Sequence, residues 1–235
     1  MANVENIAEL VQACTERKNI YSMLASLYFA PLTVEQIEEM AQTDYRSFAM
    51  GNELLESGFN DITRYLRKRH TGTRQQLAVD YTGSFGGTTS YKGKQAVPFA
   101  SVFLSENGLM NQEPRNQVYF AYRKELLGVA NKSIPADHLS YELEFMGILS
   151  ERMGKALEEG NTAKAQELCR ASRGFLDEHI LTWFPLLKET ALHMIETRFY
   201  RGVLDATEGY LQLDLEILAD IAAEIGNNVK EGIDD

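Results

Sequence analysis

Histidine and carboxylate residues near the middle of the chain have the side chains best suited to acid–base or metal chemistry. His138 follows Asp137 directly, and Glu142 lies one helical turn later, so His138 and Glu142 could share one face of a helix. Glu189 and His193 have the same spacing. A di-metal centre in a helical bundle needs Glu-x-x-His sequences, and the chain contains none. We therefore interpret both pairs as ordinary contacts on helix surfaces.

Serine and cysteine residues show no pattern typical of nucleophilic catalysis or metal binding. Ser101 and Ser140 lie outside any Gly-x-Ser-x-Gly sequence. Cys14 and Cys169 are isolated, which excludes a Cys-x-x-Cys site and makes a disulfide scaffold unexpected. We predict no tightly bound metal and no catalytic turnover by the protein alone. A metal-dependent helical-bundle enzyme stays open as the alternative.

The charge balance indicates which partners the chain is suited to. Its 235 residues include 23 Lys and Arg against 34 Asp and Glu, a net charge of −11. This acidic balance disfavours nucleic acid and favours basic partners. No apolar run approaches the roughly 18–20 residues that span a bilayer. The N-terminus also lacks a basic region followed by an apolar core. We expect a cytoplasmic protein that neither inserts into a membrane nor binds nucleic acid.

Apolar residues recur at helical spacing along most of the chain, and no alternating pattern typical of strands is present. The fold class predicted is all-α, a compact bundle of about ten helices. Pro31 ends the first helix, and Thr33 with Gln36 forms a capping box for the second. Asp137 is predicted to cap a long helix that ends at Gly160, and Asn161 to cap the next one.

Breaks in the pattern define the remaining elements and the domain organisation. Segment 179–185 is predicted to interrupt the helices, with two more helices at 186–201 and 209–225. We divide the chain into an N-terminal helical part (1–130), a hinge (131–137) and a C-terminal helical part (138–235). A single compact domain is the alternative.

The longest irregular region, 83–95, is rich in glycine, serine and threonine and is predicted to be an ordered loop. Four aromatic residues flank it: Tyr81, Phe85, Phe99 and Phe103. Such a cluster beside a loop is typical either of core packing or of a groove for an apolar peptide.

Four sequence segments together resemble the TorD/DmsD/NarJ family of redox-enzyme maturation chaperones. In chain order they are Tyr81-Thr82-Gly83-Ser84-Phe85-Gly86-Gly87, Pro98-Phe99-Ala100-Ser101-Val102-Phe103, Pro135-Ala136-Asp137-His138, and Phe175, His179, Trp183 and Pro185 at the family's spacing. Two positions depart from the family pattern. Ile134 stands where the family usually has Glu, and Ser84 stands where it usually has Leu.

The resemblance implies an all-helical chaperone of the TorD-like type. Its expected partner is the apo-form of a molybdopterin oxidoreductase, of the DMSO or TMAO reductase type, together with that enzyme's twin-arginine leader. Asp137 is the residue expected nearest the leader's guanidinium groups. The resemblance implies no cofactor beyond the guanine nucleotide reported for some family members. The full set of residues expected to bind the client is Tyr81, Phe85, Gly87, Pro98, Phe99, Ser101, Phe103, Pro135, Asp137 and His138.

Two further matters stay open at this point. The oligomeric state is either a monomer or a domain-swapped homodimer. A structural subunit of a reductase complex is the second alternative function.

Overall fold

A computed structural model describes residues 4–45, 51–125, 128 and 134–231. These residues are predominantly α-helical, and no β-sheet forms among them, which confirms the predicted all-α class. In chain order the α-helices are α1 (Val4–Phe29), α2 (Val34–Gln42), α3 (Glu53–Leu66), α4 (Thr73–Ser84), α5 (Ala100–Leu104), α6 (Glu113–Lys124), α7 (Leu139–Glu158), α8 (Thr162–Phe175), α9 (Leu181–Leu192) and α10 (Arg198–Glu231). None of them, over the described residues, is long and apolar enough to cross a bilayer.

Local capping signals explain several of these boundaries. The Thr33 hydroxyl accepts from the Gln36 N–H at 3.2 Å, and the Gln36 side chain accepts from the Thr33 N–H at 2.9 Å, which confirms the capping box. Gly160 follows α7 with a φ of +69°, and the Asn161 side chain caps α8. The predicted cap at Asp137 is wrong. His138 caps α7, and its Nδ1 accepts from the Ser140 N–H at 3.1 Å.

The predicted break at 179–185 is also wrong. A π-helical turn, Leu176–Ile180, joins α8 directly to α9, and Pro185 lies inside α9. Pro185 has no N–H to donate, so α9 lacks one intrahelical hydrogen bond there.

The predicted helix at 186–201 is divided between the end of α9 and the start of α10, and the predicted helix at 209–225 lies inside α10. Two of the glycines in α10, Gly202 and Gly209, lie against α3, where the backbones approach closely. A Cβ atom on Gly202 would lie 2.6 Å from the Gly58 carbonyl oxygen, and one on Gly209 would lie 2.4 Å from the Leu55 N. A Cβ on Gly58 would lie 2.3 Å from the Ala206 N. Tertiary packing therefore requires these three glycines, and it requires Gly202 and Gly209 inside a helix where the sequence predicted a helix end and a helix start.

A buried ion pair connects the first helix with the last. The Arg17 guanidinium donates to both carboxylate oxygens of Asp214, at 2.6 Å from Nε and 2.9 Å from Nη2. Arg17 also donates to the Ser150 hydroxyl on α7 at 2.9 Å, and the Tyr21 hydroxyl donates to Asp214 at 2.6 Å. Helix α1 packs along α7, and α3 packs along α10. The division at a hinge of residues 131–137 stays a prediction, and residues 131–133 lie outside the described ranges.

Replacing Gly58 with alanine tests the close approach of α3 and α10. We expect Gly58→Ala to lower the free energy of unfolding by about 2 kcal/mol or more, because the new methyl group would overlap the α10 backbone. The matched control is Gly174→Ala in α8, where a Cβ would meet nothing within 4 Å. It should raise stability by about 0.5–1 kcal/mol. Urea unfolding of both variants gives the comparison, and equal effects would contradict the packing argument.

Candidate functional site

A groove of about 990 Å³ opens between the glycine-rich loop, α5 with the turn that follows it, and the C-terminal half of α9. We call it the groove. Its lining consists of residues 86–87, 90–95, 97, 102–103, 105–110, 186, 189–190 and 193. The segments come from three separate parts of the sequence, so only the folded chain brings them together.

The groove combines apolar surface with both signs of charge. Leu109, Met110 and Leu186 are 59%, 47% and 42% exposed, and all three line the same groove. Lys92 and Lys94 lie in the glycine-rich loop. Glu106 lies in the turn after α5, and Glu189 lies on α9. Exposed apolar side chains concentrated in a concave surface with charges nearby mark a site for another molecule.

The glycine-rich loop is attached to α4 and α9 by its own hydrogen bonds and one aromatic stack. The Thr88 hydroxyl donates to the Thr82 carbonyl at 2.9 Å, and the Gln95 side chain donates to the Gly87 carbonyl at 2.6 Å. The Tyr91 ring stacks on the His193 ring with centroids 3.8 Å apart. Gly87 has a φ of +71°, which favours glycine at this position.

Of the ten residues predicted to bind a client, Gly87 and Phe103 line the groove. Tyr81 and Phe85 instead lie in the core. The Tyr81 hydroxyl donates to the Tyr28 carbonyl at 2.8 Å, and the Phe85 ring lies 5.5 Å from the Tyr28 ring. The aromatic cluster considered in the sequence therefore divides, with core packing for these two residues and groove lining for Phe103.

The segment 98–103 contacts residues 135–138, which directly precede α7 and which we call the elbow. The Ala100 N–H donates to the Asp137 carbonyl at 3.0 Å, and the Leu139 N–H donates to the Pro98 carbonyl at 2.9 Å. The Phe99 ring packs edge-on against the His138 ring at 4.8 Å. Pro135 is half-buried at the start of this elbow, and its carbonyl accepts from the His138 N–H at 3.3 Å.

The Asp137 side chain is fully buried and caps the N-terminus of α5. Its Oδ2 accepts from the Ser101 N–H at 2.9 Å and from the Ser101 hydroxyl at 2.6 Å. Negative charge is favourable at a helix N-terminus. In this structure the carboxylate is therefore enclosed by the protein, and it fixes the short helix that carries Phe103 into the groove.

Two residues beneath the groove, Trp183 and Glu142, were not among those predicted to bind the client. The Trp183 ring stacks on Phe103 with centroids 5.8 Å apart, and its Nε1 donates to Glu142 Oε2 at 3.1 Å. The interpretation of Glu142 as a surface residue is wrong, because its side chain is wholly buried. Trp183 is the single tryptophan of the chain and belongs to the fourth segment that resembles the family. The sequence therefore contained a signal that Trp183 has a role in the site.

Burial sets the protonation of the groups around the elbow. It lowers the pKa of His138 to about 4, so the imidazole is neutral near pH 7. Burial also raises the pKa of Glu142 well above its usual value. The hydrogen bond from Trp183 acts in the opposite direction, and the charge of Asp137 adds to the increase. Across the described residues, no cluster of His, Cys, Asp and Glu is arranged to hold a metal ion.

Comparison with known proteins gives one family and several relatives. The family described as nitrate reductase delta subunit matches residues 52–189. A chaperone protein TorD from Vibrio atlanticus is 29% identical over 213 residues, covering 87% of this chain and 95% of the relative. One from Aliivibrio fischeri is 26% identical, covering 90% and 98%. One from Photobacterium profundum is 28% identical, covering 89% and 97%.

The pKa of His138 predicts how stability depends on pH. Its folded value, about 4, lies below the unfolded value of about 6.5, so its contribution is complete above pH 6.5 and is lost as the pH falls toward 4. His138→Asn should remove this loss and still cap α7. Relative to the variant, the wild type should lose about 1.4 kcal/mol per pH unit over this range. Urea unfolding between pH 4.5 and 7.5 measures the difference, and parallel curves would contradict burial of a neutral imidazole.

Proposed function

Because the chain belongs to the nitrate reductase delta subunit family, which is also the TorD/NarJ family, we propose that it is a chaperone for a molybdopterin oxidoreductase and that the groove binds the client's twin-arginine leader. The relatives named above are chaperones and align over nearly their whole length. An alignment of that extent supports a general chaperone role for this chain. The groove supports leader binding.

The observation that carries this proposal is the exposure of Leu109, Met110 and Leu186 in a groove that also contains Glu106 and Glu189. A twin-arginine leader has cationic residues followed by an apolar stretch. The apolar stretch would bury the three side chains at about 25 cal/mol per Å² of apolar surface. The two carboxylates would attract the arginines, for which charge-assisted hydrogen bonds are favourable.

The predicted client-binding residues have different roles in this proposal. Phe103 contacts the client directly, and Gly87 shapes the adjoining loop. Tyr81 and Phe85 anchor the end of α4, from which the loop begins. The other six residues position α5 beneath the client: Pro98, Phe99, Ser101, Pro135, Asp137 and His138.

Asp137 acts in this proposal through Ser101 and not by direct contact with a leader arginine. Its carboxylate is enclosed, so an arginine could reach it only after the elbow and α5 had separated. Glu106 and Glu189 are exposed at the groove and take the role that was expected of Asp137.

The client is proposed to be the apo-form of a DMSO or TMAO reductase-type enzyme, bound in the cytoplasm before its cofactor is inserted and before export. This order would require the chaperone to hold the leader reversibly. An open groove with exposed walls suits reversible binding, because the client can leave without unfolding of the core.

Leu186→Lys tests the groove as the leader site. A lysine there would replace apolar contact with a desolvated positive charge close to a cationic leader. We expect at least a tenfold rise in the dissociation constant, or about 1.4 kcal/mol. The probe is a synthetic twin-arginine leader of a TMAO reductase-type enzyme, and Trp183 fluorescence reports binding because its ring stacks on Phe103.

Val79→Lys is the matched control for that measurement. Val79 is 65% exposed on α4 and does not line the groove, so its lysine variant makes the same change elsewhere on the surface. It should bind the leader like the wild type. Equal affinity of Leu186→Lys and wild type would overturn the assignment of the groove.

A further inference from the structure

The tip of the glycine-rich loop is a tight turn that presents Lys92 at the groove. Tyr91 and Lys94 exchange two backbone hydrogen bonds of 2.9 Å across Lys92 and Gly93. These two central residues have φ values of +49° and +80°, as a two-residue hairpin turn requires. The Nζ atom of Lys92 lies 5.2 Å from the centroid of the Tyr91 ring, within the range of a cation–π contact. The turn and this contact together hold the ammonium group in place.

Tyr91 also attaches this turn to the C-terminal end of α9. Its ring lies nearly parallel to the His193 ring, with 13° between the planes and 3.8 Å between the centroids. The Thr89 hydroxyl donates to Met194 Sδ at 3.2 Å and adds a second attachment at the same end of the helix. We call His193, Tyr91 and Lys92 the stack. Through the stack, one cation of the loop has a defined position relative to α9.

Helix α9 sets the spacing of three groove-lining side chains. Leu186, Glu189 and His193 lie three and four residues apart, and His193 follows the helix with helical backbone angles, so all three share one face. At 1.5 Å per residue, Glu189 lies about 6 Å and Leu186 about 10 Å along the axis from His193. The groove wall therefore presents, in this order, the cation of the stack, a carboxylate and an exposed apolar side chain.

The charges along this wall lack ionic partners in the described part of the chain. Lys92, Lys94 and Glu189 are exposed, and none of them forms an ion pair or a side-chain hydrogen bond there. Lys92 and Glu189 have opposite charges and line the same groove, yet both remain available to a ligand. A ligand that suits both needs a carboxylate at the stack and a cation about one helical turn further along.

We propose that Lys92 sets the direction of the bound leader and binds a carboxylate of the client that lies just before the arginine pair. The leader then runs with its N-terminal side at the stack, its arginines at Glu189 and its apolar stretch at Leu186. An extended chain advances about 3.3 Å per residue, so the carboxylate lies about two residues before the first arginine. In the opposite direction the apolar stretch would desolvate the Lys92 ammonium, which is unfavourable. This inference rests on the proposed function, because it names a further feature of the same ligand.

A charge-swap cycle tests the contact of Lys92. The probes are two synthetic twin-arginine leaders that differ only at the position two residues before the first arginine, where one has Asp and the other Lys. Lys92→Glu should lower the preference for the Asp leader over the Lys leader at least fivefold relative to the wild type, because two attractive contacts become repulsive. Lys68→Glu is the matched control, since Lys68 is exposed outside the groove and the variant has the same net charge. Equal preferences of the two variants would overturn the inference.

Disulfide trapping tests the direction independently of charge. The variants are Lys92→Cys and Leu186→Cys, and each leader carries one cysteine, either before the arginines or in the apolar stretch. Cys14 and Cys169 are buried, so the introduced thiol is the accessible one. Lys92→Cys should trap the first leader and Leu186→Cys the second, each at least fivefold faster than the other variant does. Lys68→Cys gives the background rate. The reverse pattern, or equal rates, would overturn the proposed direction.

These measurements separate the inference from the proposed function. If Leu186→Lys weakens leader binding but the charge swap has no effect or the trapping is reversed, the role of Lys92 alone fails. If the wild type binds neither leader, the proposed function fails, and the inference fails with it. Trapping by Leu186→Cys still decides the direction when Lys92→Glu does not fold, because it needs no change at the loop tip.

Discussion

The buried pairing of Arg17 with Asp214 is the interaction on which the rest of the structure depends. Two parallel hydrogen bonds, at 2.6 and 2.9 Å, fix the rotation and height of α1 against α10, and Ser150 adds α7 to the same centre. Both side chains are almost wholly inaccessible to solvent. Removal of either partner would leave an uncompensated buried charge, which costs about 3–5 kcal/mol. The pair therefore specifies one arrangement of three helices around which the others pack.

Buried carboxylates serve as joints at other points of the fold. Asp80 on α4 accepts from the Glu196 and Thr197 N–H groups just before α10, and so supplies the cap that this long helix needs. Asp137 does the same for α5 through Ser101. In both cases the carboxylate comes from a distant part of the sequence and contacts the N-terminal end of a helix. This contact is favourable because the first N–H groups of a helix have no intrahelical acceptor and carry partial positive charge. These joints leave the groove on a rigid support while its own walls stay open to solvent.

Rigid support and exposed apolar walls together explain how the site could hold a peptide without burying it. Phe103 is fixed from below by Trp183, whereas Leu109, Met110 and Leu186 present free apolar surface above. Little conformational entropy is lost by the protein when such a preorganised floor meets a ligand, so more of the contact energy remains for affinity. In the proposed function, Glu106 and Glu189 would attract the cationic part of the client, whereas Lys92 and Lys94 line the loop side of the same groove.

The sequence by itself determined the features that depend on neighbouring residues: the all-α class, the capping box at Thr33, the end of α7 at Gly160 and the cap at Asn161. It also provided the four segments by which the family is recognised. Tertiary structure decided the rest. Asp137 could have capped its own helix, but it bonds to Ser101, 36 residues away, because the elbow and α5 are brought together by packing. Positions 202 and 209 inside α10 need glycine because α3 approaches too closely there for a Cβ atom. The position of Glu142 in the core and the groove walls at Leu109 and Leu186 likewise follow from contacts between distant segments, which no local pattern of residues encodes.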